Sequence, residues 1–220
     1  MLVYERMSRN PITVTADTPI DEALQLMRTS KVRRLPVVDK KDRHKLVGIV
    51  SEKDLLYASP SPATSLSIYE IHYLVSKIKV ADVMTKEVIT VGEYTPLEEA
   101  ARIMVDHKIG GLPVVRDGAL VGIITETDLF KIFLELLGAK EEGVRIAMLV
   151  PEQSGILATI TREIADMGGN IISLGTFLGE DPANRLITVK VAGVEEKKLV
   201  ASMEALGMEI VDARTCQRCA

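Results

Sequence analysis

The sequence predicts an α+β protein made of two copies of a β-α-β-β-α unit followed by a unit of order β-α-β-β-α-β. Three observations lead to this fold class. A long segment that begins at Met7 recurs from Met84, and "LVGIVSEKDLL" at 46–56 returns as "LVGIITETDLF" at 120–130. After residue 138 the repetition stops, and a new pattern of apolar segments begins at Val144.

The duplication covers two whole segments. "MSRNPITVTADTPIDEALQLMRTSKVRRLPVV" from Met7 aligns without a gap with "MTKEVITVGEYTPLEEAARIMVDHKIGGLPVV" from Met84, 77 residues later. The blocks around Gly48 and Gly122 are only 74 residues apart, because "DKKDRHK" in the first turn is shortened to "RDGA" in the second. A single copy of about fifty residues would be marginally stable. We therefore expect the two copies to bury their sheets against each other about a pseudo-twofold axis.

Each copy can be divided into elements. "ITV" predicts a short strand, after which Thr18 is expected to cap a helix, with Pro19 at its first position and Asp21 completing a capping box. "LPVV" and then "LVGIV" or "LVGII" predict two strands, and a second helix is expected to start at Ser51 or Thr125. Thr95, Pro96 and Glu98 repeat the first cap. The apolar stripe of the first helix is expected at Ile20, Ala23, Leu24 and Met27, and again at Leu97, Ala100, Ala101 and Met104.

The third unit has a different pattern. "VRIAMLV", "NIISLGTFL", "RLITVKV" and "MEIVDAR" predict strands, and "ILATITREIADMG" and "EEKKLVASMEALG" predict helices. This order is that of the ferredoxin-like split unit. The predicted domains are 1–60 and 79–138 for the two copies, 61–78 for a connecting segment with the helix "LSIYEIHYLVSKI", 144–215 for the third unit and 216–220 for a tail.

Composition and the lack of certain motifs disfavour several classes of protein function. A net charge of −4 and a pI near 5.5 disfavour a protein that binds nucleic acid phosphates. No apolar stretch has the length of a signal peptide or of a membrane helix, so we expect a soluble, cytoplasmic protein with no membrane partner. The sequence lacks common hydrolase, zinc-protease and Walker motifs, so we expect no catalytic residues and no enzyme activity.

The cysteines and histidines predict no metal site. Cys216 and Cys219 form a single CxxC in the tail, without a second half that would complete four ligands. The three histidines are scattered along the chain. We expect the two thiols to belong to a solvated tail.

The repeated Ser/Thr-x-x-Asp has two interpretations. Ser51 with Asp54, and Thr125 with Asp128, can act only as capping boxes for the helices that follow. The same geometry also suits a ligand, because a helix amino terminus favours phosphate and a carboxylate can accept hydrogen bonds from the two vicinal hydroxyls of a ribose. Both interpretations remain open at this point.

A basic cluster precedes "LPVV" in the first copy only. Arg33 and Arg34 are suited to phosphate oxygens, although charge runs are more often solvated faces. The second copy has Gly110 and Gly111 at these positions. Any two ligand pockets are therefore expected to be unequal.

The combination of "ITV", the Thr-Pro helix start, "LPVV" and Gly-apolar-apolar-[Ser/Thr]-x-x-Asp resembles the CBS domain, and the pair resembles a CBS module, also called a Bateman module. This resemblance implies an adenosine ligand such as AMP, ADP or ATP, with S-adenosylmethionine or NAD as further possibilities. It implies that Asp54 and Asp128 hold ribose hydroxyls and that Ser51 and Thr125 contact ribose or phosphate. The remaining implied contacts are Ile12 and Ile89 to the base, and Arg33 and Arg34 to phosphate, with Gly110 and Gly111 in their place in the second copy.

The third unit, with "PEQSGILATI" and "GGNIISL", resembles an ACT domain. This resemblance implies amino-acid binding across a domain interface, at Gly155, Ile156 and Asn170, or a role only in dimerisation. The whole arrangement resembles the acetoin utilization protein B type. It implies a homodimeric regulatory protein that senses an adenine nucleotide and acts on an unknown protein; the alternative is a scaffold whose clefts are empty.

Overall fold

The computed structural model describes residues 1–58, 77–179, 181 and 183–217. Nearly all of the predicted connecting helix, and Cys219, lie outside the described residues. The chain divides into two compact units, Met1–Leu129 and Phe130–Ala220. Within the part that is described, no helix combines the length and the apolar character that crossing a membrane requires.

The first unit contains both copies of the repeat. The first copy comprises α1 Val3–Arg6, β1 Ser8–Arg9, β2 Val14–Thr15, α2 Ile20–Ser30, β3 Arg34–Val38, β4 Leu46–Ser51 and α3 Glu52–Ala58. The second comprises α4 Val80–Val83, β5 Val91–Gly92, α5 Leu97–His107, β6 Gly111–Arg116, β7 Ala119–Thr125 and α6 Glu126–Leu136, a helix that runs past the boundary of the unit. From β2 to α3 and from β5 to α6, the predicted β-α-β-β-α order is confirmed.

The segments that precede β2 and β5, residues 1–13 and 78–90, are called the entry segments, and each of them contacts the other copy. In each copy a parallel pair, β2 with β3 or β5 with β6, is followed by an antiparallel hairpin. Strand β1 of the first copy pairs with β7 of the second, with Ser8 opposite Ile123. In return, Thr85 of the second copy forms a bridge with Ile49 of the first, through backbone hydrogen bonds of 2.9 and 3.0 Å. Each entry segment therefore lies beside the last strand of the other copy.

The cores of the copies follow the predicted apolar stripes. Ile20, Ala23 and Met27 on α2 are buried, as are their counterparts Leu97, Ala100 and Met104 on α5. They pack on strands whose central residues are inaccessible to solvent, including Leu35 and its counterpart Leu112. The stripe and the duplication are thus confirmed together.

The predicted side-chain caps of α2 and α5 are wrong. The residue before α2 is Pro19, and Thr18 gives no cap; its hydroxyl instead accepts a hydrogen bond of 3.2 Å from the backbone N–H of Thr15. The first N–H of the helix, at Ile20, donates to the carbonyl of Ile78 at 3.1 Å. A carbonyl from the entry segment of the other copy satisfies a group that a cap would otherwise serve, so no cap is required. 

The corresponding cap of α5 is wrong for the same reason. Pro96 precedes the helix, and neither Thr95 nor Glu98 forms the predicted box; the N–H of Leu97 donates to the carbonyl of Met1 at 3.1 Å.

The short strands also begin two residues later than "ITV" predicts, at Val14 and Val91. Ile12 and Ile89, at the start of these stretches, are 40% and 36% exposed.

The second unit is a four-stranded antiparallel sheet with two helices. Its remaining elements are β8 Gly143–Pro151, α7 Ile156–Asp166, β9 Asn170–Leu178, β10 Asn184–Ala192, α8 Glu196–Ala205 and β11 Glu209–Cys216. The strands lie in the order β11-β8-β10-β9. The predicted β-α-β-β-α-β order is confirmed, and the core lies where Ile160 and Leu199 of the helices pack on the strands.

One carboxylate of the second unit makes stability depend on pH. Asp212 accepts hydrogen bonds from Arg214 and, at 2.6 Å, from Arg145, and these guanidinium groups, Arg214 first, lower the pKa of Asp212. A lowered pKa contributes stability above the unfolded value of about 4, and this contribution is lost as the pH falls through the folded value. We expect Asp212→Asn to lose less of its free energy of unfolding than the wild type between pH 6 and pH 3, measured by urea unfolding. Parallel pH dependences would contradict this role.

Candidate functional site

The two Ser/Thr-x-x-Asp motifs lie where the last strand of each copy meets the following helix. The backbone N–H and the hydroxyl of Ser51 donate to Oδ2 of Asp54 at 2.9 and 2.7 Å, and the N–H of Asp54 lies 3.3 Å from the Ser51 hydroxyl oxygen. Thr125 donates to Oδ2 of Asp128 in the same way, at 3.0 and 2.7 Å. The capping box is therefore complete in the first motif, and the carboxylate of the second motif makes the same contacts to the residue before its helix.

Capping does not use the whole of the Asp54 carboxylate. Among the described residues, the hydrogen bonds that Asp54 accepts all reach Oδ2. An ionised carboxylate can accept about four hydrogen bonds over its two oxygens. The cap thus fixes the orientation of the side chain while Oδ1 stays available to another donor, so the two interpretations are compatible.

Asp54 lies in a cleft of about 470 Å³ that both copies form. The first copy contributes the end of β4 and the start of α3, and the second contributes its entry segment and the start of β6. The lining residues are Arg33, Arg34, Ile49, Ser51, Glu52, Lys53, Asp54, Thr85, Glu87, Val88, Ile89, Lys108, Ile109, Gly110, Gly111 and Pro113. Seven predicted site residues are therefore brought together: Arg33, Arg34, Ser51, Asp54, Ile89, Gly110 and Gly111.

The other three predicted residues, Ile12, Thr125 and Asp128, lie on the side of the second helix start, which corresponds by the repeat to the side of Asp54. Thr125 and Asp128 form the second helix start, and β1, three residues before Ile12, pairs with the strand that leads into it. Backbone hydrogen bonding continues as far as Asn10, whose N–H donates to the carbonyl of Val121 at 3.4 Å. The structure thus places Ile12 on the side of Asp128, and Ile89 on the side of Asp54.

The cleft at Asp54 has a mixed but net positive lining. Arg33, Arg34, Lys53 and Lys108 are its basic residues, and Glu52, Asp54 and Glu87 are its acidic ones. Ile89 and Val88 supply an apolar wall from the second copy. An acceptor for hydroxyls, an apolar wall and a basic end suit a ligand with a sugar, a flat ring and a negative group.

Sequence reasoning missed Thr85, Glu87 and Val88 in this lining. Glu87, Val88 and Thr85 belong to the entry segment of the second copy, and they reach the cleft because Thr85 pairs with Ile49. That pairing joins residues 36 positions apart and leaves no local pattern in the sequence. The alignment of Ile12 with Ile89 in the repeat was the one feature of the sequence that pointed to this segment as part of a site.

The glycines of the second copy make room for Arg34. A Cβ at Gly111 would lie 3.2 Å from Cδ of Arg34, and a Cβ at Gly110 would overlap both the Arg34 guanidinium and the Glu126 carboxylate. Gly110 and Gly111 occupy the positions that Arg33 and Arg34 hold in the first copy. The absence of side chains in one copy thus accommodates the arginine of the other.

Gly48 and Gly122 serve a close approach of backbone. A Cβ at Gly48 would lie 2.6 Å from Sδ of Met84 and 3.1 Å from the carbonyl oxygen of Thr85. Gly122 is matched by Met7 and by the carbonyl oxygen of Ser8, again at 3.1 Å. Both glycines thus allow a close contact with the entry segment of the other copy.

A family model for the CBS domain matches residues 3–61 and 80–135, more than half of the chain. The chain belongs to the CBS domain family. The cleft at Asp54 thus lies within a tandem pair of CBS domains, and the family model does not extend over the β-α-β-β-α-β unit.

Two other proteins are similar to the chain in sequence. A CBS domain-containing protein of Dictyostelium discoideum is 33% identical over 138 residues, which cover 62% of this chain and 94% of that protein. The inosine-5'-monophosphate dehydrogenase of Staphylococcus aureus is 36% identical over 175 residues, 77% of this chain. The chain spans only 32% of the length of that enzyme.

Two solved structures of CBS proteins are similar to the chain. A Vibrio cholerae protein described as an acetoin utilization protein (AcuB) is 36% identical, with a TM-score of 0.51 over 64% of this chain and 98% of its own. The CBS domain pair of protein MJ0100 is 31% identical with a TM-score of 0.51, also over 64% and 98%, and was solved in complex with 5'-methylthioadenosine and S-adenosyl-L-methionine.

The unit that follows the CBS pair contains a depression of about 270 Å³. Predicted residues Gly155, with a φ of +90°, and Ile156 line it at the start of α7, together with Thr176 and the ion pair of Glu152 and Arg185. Sequence reasoning missed Thr176 and Arg185, which reach the depression only through sheet pairing. 

Asn170, the third residue predicted for amino-acid binding, is not part of this depression. It opens β9 and pairs with Ala192, whereas the other end of β9, at Leu178, pairs with Arg185. Asn170 therefore lies at the opposite end of the strands from the depression at Gly155, and within one chain the structure does not bring them together.

Two further findings concern the described residues outside the cleft. A depression of about 390 Å³ lies beside α2 of the first CBS domain and contains no predicted site residue; Thr13, Thr18 and Arg43 are among its lining. In residues 1–58, 77–179, 181 and 183–217, no cluster of three or more His, Cys, Asp or Glu side chains is placed to hold a metal ion.

Proposed function

We propose that the chain is a non-enzymatic regulatory protein that senses an adenosine-containing metabolite in the cleft at Asp54. One observation carries this proposal. The Asp54 carboxylate is oriented by its own helix cap, keeps Oδ1 available, and lies in the same cleft as the apolar segment around Ile89 from the other CBS domain. The complex of MJ0100 with two adenosine derivatives supports this ligand class.

The ligand would use three parts of the cleft. The two ribose hydroxyls would donate to Asp54, the adenine ring would lie against Ile89 and Val88, and a phosphate would meet Arg33 and Arg34. Ser51 would contact ribose or phosphate through its hydroxyl oxygen. AMP, ADP and ATP match this chemistry; S-adenosylmethionine and NAD share the adenosine portion.

A second cleft, with Thr125, Asp128 and Ile12, would take an adenosine ligand with less dependence on phosphate. Its helix start is built like the first, but Gly110 and Gly111 stand where the first copy has its two arginines. Binding at the two clefts would differ in strength and in preference for charged ligands.

The β-α-β-β-α-β unit would act as an ACT-type module. Gly155 and Ile156 line a depression whose ion pair between Glu152 and Arg185 offers one group for each end of a free amino acid. The alternative role for the unit is the contact of a homodimer. Together, the two modules describe a cytoplasmic regulator of the acetoin utilization protein B type, acting on a protein still to be identified.

Thermal denaturation with a panel of compounds tests this function. A ligand that binds the folded state in large excess stabilises it by about 2.7 kcal/mol at a hundred times its Kd, which raises Tm by several degrees. We expect such a rise with AMP, ADP, ATP, NAD or S-adenosylmethionine, and the free amino acids form a second arm for the ACT-type unit. If no adenosine compound raises Tm or gives heat in calorimetry, the clefts are empty and the protein is a scaffold.

A further inference from the structure

Arg34 is shared between the two CBS domains. It opens β3 of the first domain, its side chain runs over Gly110 and Gly111 of the second, and its Nη2 lies 3.9 Å from Oε2 of Glu126. The Arg34 side chain is 27% exposed and that of Glu126 is 58% exposed. The arginine that borders the cleft at Asp54 is thus held, loosely, by a carboxylate from the other helix start.

A comparison of the two copies shows that the contact between Arg34 and Glu126 is formed at one of the two helix starts and has no equivalent at the other. In the first domain the backbone N–H of Glu52 donates to the carbonyl of Arg33 at 2.9 Å; in the second, the N–H of Glu126 donates to that of Gly110 at 3.1 Å. The backbone arrangement is therefore the same around both helix starts. Only the Arg34 side chain has space to cross, because the second domain has glycines at the equivalent positions.

We propose that Glu126 is a specificity-determining residue that competes with the phosphate of a ligand for Arg34. The inference rests on the proposed function of the cleft at Asp54 and adds to it a residue that sets the preference between phosphorylated and unphosphorylated ligands. A phosphate in that cleft draws Arg34 away from Glu126, whereas a ligand without phosphate leaves the pair in place. Glu126 lowers the preference for phosphorylated over unphosphorylated adenosine ligands.

The size of the effect follows from the exposure of the pair. An ion pair with one side chain more than half exposed and atoms 3.9 Å apart changes an equilibrium constant by about two- to fivefold. The Arg34–Glu126 pair contributes less free energy than an arginine–phosphate contact does. Glu126 therefore reduces the preference for phosphorylated ligands and does not abolish it. The link also runs the other way, because a ligand that releases Arg34 frees a carboxylate at the second helix start.

Calorimetric titration of the full chain with adenosine and with AMP, which differ by one phosphate, tests the inference. We expect Glu126→Gln to raise the affinity for AMP about two- to fivefold and to leave the affinity for adenosine unchanged. In an Arg34→Ala background the same substitution should no longer change AMP binding. Glu98→Gln, on the exposed surface of α5 in the same domain, is the control for the loss of one negative charge.

The outcomes separate this inference from the proposed function. An equal change for adenosine and AMP in Glu126→Gln, or an AMP effect that persists without Arg34 or appears equally in Glu98→Gln, overturns the competition while the cleft remains an adenosine site. If the wild type binds none of adenosine, AMP, ADP, ATP, NAD and S-adenosylmethionine, the proposed function fails and the inference fails with it. Glu126 and Glu98 are exposed and Arg34 is half-buried, and Tm of each variant checks that it is folded.

Discussion

Asp54→Asn is expected to weaken adenosine binding at the first cleft at least tenfold while costing little stability. The amide oxygen can still accept the hydrogen bonds of the Ser51 N–H and hydroxyl, so much of the cap survives. The charged acceptor for two ribose hydroxyls is lost, and a hydrogen bond to a charged group contributes about 1.5–3 kcal/mol. At 1.4 kcal/mol for each factor of ten, one such bond accounts for the expected loss.

Asp54→Ala removes the cap as well as the ligand contact. We expect the same loss of affinity and an additional loss of about 0.5–2 kcal/mol in the free energy of unfolding, the usual value of a helix cap. Calorimetric titration with adenosine measures the first effect, and urea unfolding without ligand measures the second. If Asp54→Asn lowers stability but binds adenosine as tightly as the wild type, Asp54 is only a cap.

The duplicated chain provides a matched variant for this experiment. Asp128 accepts the same two hydrogen bonds from Thr125 that Asp54 accepts from Ser51. Asp128→Asn should therefore have the same small effect on stability as Asp54→Asn. Asp128→Asn should weaken binding at the second cleft and Asp54→Asn at the first. In a two-site titration, each variant should therefore lower the affinity of a different site.

Local patterns in the sequence predicted the elements of the fold. The apolar stripes of α2 and α5 and the capping contacts of Asp54 and Asp128 depend on residues within a few positions of each other, and the 77-residue repeat shows each of these patterns twice. Where a local rule failed, a distant group had replaced the local one. Thr18 does not cap α2 because a carbonyl from Ile78 reaches the first N–H of the helix.

The candidate site depends more strongly on contacts between distant segments. The sequence marked Ile12 and Ile89 as equivalent, but it contained nothing to say that Ile89 shares a cleft with Asp54. That choice is made by the bridge between Ile49 and Thr85. The crossing of Arg34 over Gly110 was likewise beyond local reasoning, although the asymmetry between the two copies was visible. The sequence likewise did not show that Asn170 and Gly155 lie at opposite ends of the strands within one chain, which strand pairing determines.

Gly48→Val is expected to lower both stability and ligand binding, because it acts on the same bridge between the domains. The new Cβ would meet Sδ of Met84 at 2.6 Å, which a flexible side chain can relieve, and the carbonyl oxygen of Thr85 at 3.1 Å, which it cannot. That carbonyl accepts a hydrogen bond of 3.0 Å from the Ile49 N–H. Overpacking of this kind costs about 1–3 kcal/mol, and each weakened backbone hydrogen bond adds about 0.5–1.5 kcal/mol.

The loss of binding follows from the position of the bridge. Thr85 begins the stretch that carries Val88 and Ile89 into the cleft, so a displaced Thr85 moves the wall against which the adenine is proposed to lie. Urea unfolding and calorimetric titration with adenosine measure the two effects on the same protein. Gly92→Ala is the control, since its Cβ would meet only the Thr95 hydroxyl at 3.7 Å and should change neither quantity.

A second substitution separates the two contacts of the new side chain. Met84→Ala combined with Gly48→Val removes the sulfur that the valine meets, but it leaves the Thr85 carbonyl in place. We expect the double variant to recover only part of the stability, and to recover little binding, because the backbone contact sets the position of Ile89. Full recovery of both would assign the effect of Gly48→Val to the Met84 side chain, and the close backbone approach would then have no part in holding the cleft together.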